Sequence, residues 1–151
     1  MATRLQVTID CADPDRLARF WAAALHYQLQ EPPDGFDTWA DYWRSRGLPE
    51  GEVNDAIGYD SIVDPSGIGP RMWFQQVPEK KSVKNRLHLD LDVTNRRSGT
   101  LEVRRKLIDT EAARLVALGA TISRVAGPEI GIADYYAITL LDPEGNEFCI
   151  S

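Results

Sequence analysis

The sequence predicts an α+β fold built from two tandem β-α-β-β-β modules. Three observations predict it. Arg4-Leu5-Gln6-Val7-Thr8-Ile9-Asp10 lines up with Arg86-Leu87-His88-Leu89-Asp90-Leu91-Asp92. Each of these segments runs into a stretch of helical spacing. Each half then closes on an Asp-Pro-x-Gly turn, Asp64-Pro65-Ser66-Gly67 and Asp142-Pro143-Glu144-Gly145. Similarity of this kind at matching stages marks an internal repeat.

The elements follow in order. Alternation of apolar and polar residues marks a strand with one buried face. It groups Leu5, Val7 and Ile9 on one side and Gln6 and Thr8 on the other. In the second half it groups Leu87, Leu89 and Leu91 against His88 and Asp90. Asp13-Pro14 supplies an N-cap and a first-turn proline. A helix with Leu17, Phe20, Trp21, Ala24 and Leu25 on its apolar stripe follows, Trp21 lying toward the edge of that stripe. Tyr27 to Gln30, Tyr59 to Val63 and Met72 to Gln75 complete the first set of strands. The second helix starts at Thr100-Leu101 and carries Leu101, Ile108, Leu115, Val116 and Leu118 as its stripe. It stops at Gly119, a residue suited to the left-handed turn that ends helices. Thr121 to Val125, Tyr135 to Leu141 and Asn146 to Cys149 are the remaining strands.

The first half also carries extra chain between Glu31 and Gly58. Within it, Phe36 to Arg46 reads as a short helix ending at Gly47. Its aromatics, Phe36, Trp39, Tyr42 and Trp43, are expected to pack against the sheet edge, the alternative being a lid over a cavity. Pro78 to Asn85, with three lysines and no apolar period, reads as a linker. The expected organisation is one domain over residues 1–151, with a first module at about 3–77, the linker at 78–85 and a second module at about 86–151.

Composition bounds the function. The chain has 151 residues, 43% of them hydrophobic and 26% charged, enough for a packed core without staples. The formal charge of −6 argues against nucleic acid and anionic lipid as partners. Two cysteines, Cys11 and Cys149, near opposite ends of the chain and without a CxxC, fit neither a disulfide framework nor a zinc knuckle. Met1-Ala2-Thr3-Arg4 leads straight into the first strand pattern, so no signal peptide is read. No apolar run approaches the roughly 18 residues of a membrane helix. A cytoplasmic location is expected.

The paired modules, the two Asp-Pro-x-Gly turns and Lys84-Asn85-Arg86-Leu87-His88-Leu89-Asp90-Leu91 together resemble the vicinal oxygen chelate superfamily, which includes glyoxalase I, extradiol dioxygenases and bleomycin-resistance proteins. Asp142 to Cys149, and Asp10-Cys11-Ala12-Asp13-Pro14 followed by Arg16 to Trp21, narrow the resemblance to the bacterial glyoxalase-like domain proteins. The resemblance implies a mixed sheet curled around a cleft. It also implies one metal-ligand position on the first and last strand of each module. Carried over by position, these are Gln6, Gln75, His88 and Cys149, with sulfur where chelating relatives place a glutamate. Glu147 has the same strand parity one pleat earlier. Hard divalent ions want carboxylates, and zinc takes amides poorly. The expectation is therefore no metal and no cofactor.

The cleft-facing residues expected to bind a ligand are Gln6, Thr8, Trp73, Gln75, His88, Asp90, Glu147 and Cys149. Amides, an imidazole and one indole suit a pocket with an apolar wall and a few polar anchors. Each has a bland counterpart. His88 reads equally as a partly buried histidine bonded to Asp90. Cys149 reads as a small hydrophobe, and Cys11 as packing at the strand-to-helix corner. His26 reads as a helix-end residue. Arg96-Arg97 and Arg104-Arg105-Lys106 read as a wet helix face, and Glu50-Gly51-Glu52 and Asp134 as solvated surface.

Three functions stay open. The first is a metal-free protein binding an unidentified small molecule in the cleft. The second is a lyase, isomerase or dioxygenase of the superfamily with His88 as base or metal ligand. The third is a degenerate module that mainly dimerises. A homodimer is expected, as the commonest closed assembly.

Overall fold

The computed structural model describes residues 3–53, 58–128 and 134–151. The chain divides into two compact units, Met1–Lys80 and Lys81–Ser151. Each is a β-α-β-β-β module built on its own four-stranded mixed sheet.

In the first unit, β1 (Gln6–Cys11) leads into α1 (Pro14–Leu25), then β2 (Gln28–Leu29), α2 (Trp39–Ser45), a turn of 3-10 helix at Glu50–Glu52, β3 (Ser61–Val63) and β4 (Arg71–Gln76). The strand order is β1-β4-β3-β2, with β1 parallel to β4 and the other pairs antiparallel. The N-cap prediction for α1 holds: the Asp13 carboxylate accepts the Arg16 N–H at 3.1 Å, and Pro14 opens the helix. His26 ends it as a left-handed C-cap at φ 57°. The helix lies across β2, β3 and β4. Leu17, Phe20, Trp21 and Ala24 are buried there with Ile62, Met72 and Phe74. Trp21 is a correction to the sequence reading. It sits fully inside the stripe rather than at its edge, edge-on to Phe20 with centroids 5.4 Å apart.

The second unit repeats the plan with β5 (Leu89–Leu91), α3 (Leu101–Leu118), β6 (Thr121–Ala126), β7 (Ala137–Leu141) and β8 (Glu147–Ile150). Its order is β5-β8-β7-β6, again with first and last strands parallel. Thr100 caps α3 and Gly119, at φ 116°, ends it. The helix lies against β6 and β7. Its buried residues are Arg104, Ile108, Ala112 and Leu115, facing Ile138, Leu140, Phe148 and Ile150. Val116 and Leu118, expected on the stripe, are exposed: Val116 lies beside the line of Arg104, Ile108, Ala112 and Leu115, and Leu118 is the last residue of the helix. Arg104 is therefore not part of a wet face. Its apolar stem lies in the core and its guanidinium reaches Asp134, while its Nε has no partner among the described residues.

Leu5 and Leu87 also depart from expectation: both are exposed. Each precedes the first paired residue of its strand, since β1 begins at Gln6 and β5 at Leu89. Both Asp-Pro-x-Gly turns form as predicted. Asp64 accepts the Ser66 and Gly69 N–H groups at 2.8 and 2.6 Å, and Asp142 accepts those of Glu144 and Asn146 at 2.9 Å. Between β5 and α3, Asn95, Arg96 and Arg97 are all left-handed, at φ 50°, 56° and 63°. Asp92 holds this run through the Arg96 and Thr94 N–H groups, which draw its carboxyl below the usual range.

Phe36 to Arg46 contains a helix, α2, capped by Thr38. Its aromatics are not buried against a sheet edge. They pack on one another, Trp39 stacked on Trp43 at 6.2 Å and Tyr42 edge-on to Trp43 at 5.0 Å. The Trp39 indole N–H ties the cluster to the Gln30 carbonyl at 2.9 Å. Residues 54–57 of the extra chain lie outside the described residues.

Candidate functional site

The predicted site residues occupy one sheet face in each unit. In the first unit, helix α1 covers the face of Met72 and Phe74. Strand alternation turns Arg71, Trp73 and Gln75 to the other face, and the parallel register sets them beside Gln6, Thr8 and Asp10. Gln6, Thr8, Trp73 and Gln75 thus share a face, as predicted from parity. Arg71 organises it. Its Nε donates to Gln30 Oε1 at 2.6 Å, Nη1 to Gln6 Oε1 at 2.7 Å and Nη2 to Ser61 Oγ at 2.6 Å. Ser61 in turn donates to Asp60 Oδ1 at 2.7 Å, and Asp60 Oδ2 accepts the Trp73 indole N–H at 3.1 Å. The three direct partners of the guanidinium are neutral, and among the described residues no carboxylate pairs with it. A guanidinium has five N–H donors, so two are left over.

In the second unit, the parallel register sets Asp90 beside Cys149, and the antiparallel one sets Thr139 on its other side. His88, one residue before β5, donates from Nδ1 to Asp90 Oδ1 at 3.1 Å. Cys149 Sγ lies 3.4 Å from Thr139 Oγ1. One ring nitrogen of His88, one oxygen of Asp90 and Cys149 Sγ all fall within 4.8 Å of one another. His88 and Asp90 are exposed and Cys149 is half-buried, so the thiol is not a sealed core group. Cys11, by contrast, is buried, with its Sγ 3.6 Å from the Gln75 carbonyl oxygen.

Glu147 shares the strand parity of Cys149 but has a different task. It accepts the Asn85 N–H at 3.0 Å and pairs with Lys81 at 3.2 Å. The Asn85 N–H is the chief reason its carboxyl is held down to about 2. This carboxylate anchors the segment leading into β5.

The resemblance stated above implies a hard divalent ion at Gln6, Gln75, His88 and the closing strand. These residues do not fit one. The Gln6 amide oxygen is taken by Arg71, which sets a positive charge beside it. Gln75 is neutral, position 149 is a thiol, and the Glu147 carboxylate is spent on Asn85 and Lys81.

Sequence reasoning missed Arg71, Ser61, Gln30 and Thr139. Arg71 had a signal, since it shares parity with Trp73 and Gln75. Ser61 and Thr139 had none without the strand register, and Gln30 is brought in by the β2–β3 pairing.

A profile of the family described as Glyoxalase-like domain matches residues 6–151. No curated protein matches the sequence. Solved structures share the fold at low identity. A glyoxalase/bleomycin resistance protein/dioxygenase family enzyme from Burkholderia phytofirmans PsJN is 18% identical with a TM-score of 0.57, over 96% of this chain and 94% of that one. The fosfomycin resistance protein FosX from Mesorhizobium loti is 12% identical with a TM-score of 0.55, over 99% and 91%. FosX from Listeria monocytogenes, in a complex with Mn(II) and a dihydroxypropylphosphonic acid, is 11% identical with a TM-score of 0.57, over 99% and 90%. The family match over nearly the whole length, on a fold of two β-α-β-β-β modules, makes this chain a member of the glyoxalase-like domain family.

Proposed function

We propose that the protein captures a small organic molecule on the open face of its first sheet, without the help of a hard divalent ion. The observation that carries this is Arg71, held rigidly by three neutral acceptors beside the indole of Trp73. A preorganised guanidinium with two spare N–H donors suits a carboxylate or phosphate oxygen, and the indole supplies a flat apolar wall. The ligand class is a planar organic anion. Gln75 and Thr8, on the same face, add neutral donors and acceptors. Asp60 fixes Arg71 through Ser61 and fixes Trp73 directly, so the two recognition groups hold one geometry before a ligand arrives.

The test is a thermal-shift screen of aromatic carboxylates and organic phosphates. A ligand at a hundredfold excess over its dissociation constant adds about 2.7 kcal/mol. For a chain of this size that is a rise of roughly 5–10 °C. Arg71→Gln and Trp73→Ala should each remove the shift for a hit. Shifts unchanged in both variants sink the proposal. Absence of any hit, with a stable dimer by light scattering, transfers support to the reading as a dimerising module.

One observation favours a second reading as an enzyme. Asp90 orients the His88 ring, as a general base requires. Turnover of a superfamily-type substrate that is lost in His88→Ala, with ligand binding retained, would establish it.

A further inference from the structure

We propose that His88, Asp90 and Cys149 form a three-ligand site in the second unit for a thiophilic divalent ion of the zinc class. Cys149 puts a thiol where the resemblance implies a carboxylate. The strand register returns one, because Asp90 lies beside Cys149 on the neighbouring strand. The three donor atoms lie within 4.8 Å of one another. Tetrahedral zinc with bonds of about 2.0–2.3 Å places its ligand atoms roughly 3.4–3.6 Å apart. The His88–Asp90 contact, at 3.1 Å, is near that spacing already. Both side chains are exposed, so an ion from solvent can reach them.

The donor set selects the ion. One imidazole nitrogen, one carboxylate oxygen and one sulfur balance a dication, and they suit zinc or cobalt rather than magnesium or manganese. On binding, the Cys149 S–H bond breaks, the proton leaves to solvent and the sulfur keeps the electron pair for the metal. The Thr139 hydroxyl, 3.4 Å from Sγ, is placed to donate to that sulfur, as outer partners of metal ligands do. Three protein ligands leave a fourth position open to water or to a ligand atom. The arrangement departs from the pattern of chelating relatives in two respects: the carboxylate comes from the fifth strand, and the closing strand offers sulfur.

The test uses the full chain without a histidine tag, stripped with chelator and then titrated with Zn²⁺, Mn²⁺ and Co²⁺. One Zn²⁺ per chain is expected, with Mn²⁺ about a hundredfold weaker or more. Co²⁺ should give a near-ultraviolet thiolate-to-metal charge-transfer band with the visible absorption of a tetrahedral site. Cys149→Ser should abolish the band, and His88→Gln and Asp90→Asn should each weaken Zn²⁺ by about tenfold or more. Circular dichroism checks that the variants fold. Cobalt binding without the band, a band that survives Cys149→Ser, or Mn²⁺ held as tightly as Zn²⁺ would each overturn the assignment.

Discussion

Replacing Glu147 with Gln separates an anchoring carboxylate from a ligand. The substitution keeps an oxygen that can accept the Asn85 N–H but removes the charge that Lys81 pairs with. A hydrogen bond to a charged group contributes about 1.5–3 kcal/mol, and a partly exposed ion pair adds less than about 1 kcal/mol. With side chains 26% and 19% exposed at Lys81 and Glu147, the loss should be about 1.5–2 kcal/mol at neutral pH. The pH dependence follows from the depressed carboxyl. The unfolded chain protonates this group near its ordinary 4.5, and the folded chain only at about 2. The stabilisation is therefore complete above 4.5 and disappears as the pH falls to about 2. Urea titrations of both proteins, stepped from neutral pH down through that window, read the difference. A gap that stays constant across the window, or is absent at neutral pH, refutes the reasoning. Zinc stoichiometry should be unchanged in Glu147→Gln, because this carboxylate lies outside the proposed ligand trio.

Further outcomes can be checked by denaturant titration. Phe74→Ala opens a cavity under α1 and should cost about 3–5 kcal/mol. Thr100→Ala removes the hydroxyl that accepts the Val103 N–H and should cost about 1 kcal/mol. Arg104→Met replaces a buried guanidinium with an unpartnered Nε and should leave the protein at least as stable; a loss beyond about 2 kcal/mol would show that the contact with Asp134 outweighs burial of the charge. Arg96→Gly relieves one left-handed residue and should gain about 0.5–1 kcal/mol, since the strain of about 1–2 kcal/mol exceeds the added freedom of the unfolded chain.

The repeat was readable because both modules obey the same local rules. Asp13-Pro14, Thr100, Gly119 and the two Asp-Pro-x-Gly turns act through bonds to near neighbours, so their sequence pattern is enough. The faces of β1 and β4 were readable for the same reason, since alternation needs no partner. What alternation cannot show is how far a helix reaches. Helix α1 lies across β2, β3 and β4, which leaves Val7 and Ile9 on β1 half-covered. Arg104 deceived because its charge hides a long apolar stem, Val116 because composition was read ahead of spacing, and Leu118 because it is the last residue of the helix. The site was legible in part. Gln6, Thr8, Trp73 and Gln75 were grouped by parity, yet Arg71, which binds two strands and the residue after a third, was passed over. Asp90 was placed on the right face, but its position beside Cys149 depends on pairing between strands nearly sixty residues apart. That register is set by tertiary closure and leaves no local trace.

In each module the opening strand lies beside the closing one. A nascent chain emerging from the ribosome therefore carries Gln6–Cys11 without its neighbour until Arg71–Gln76 has been made. The same delay applies to Leu89–Leu91, which waits for Glu147–Ile150. A stop codon anywhere before Glu147 should therefore leave Leu89–Leu91 as an unsealed β-edge available for aggregation, however much of the second module has been made.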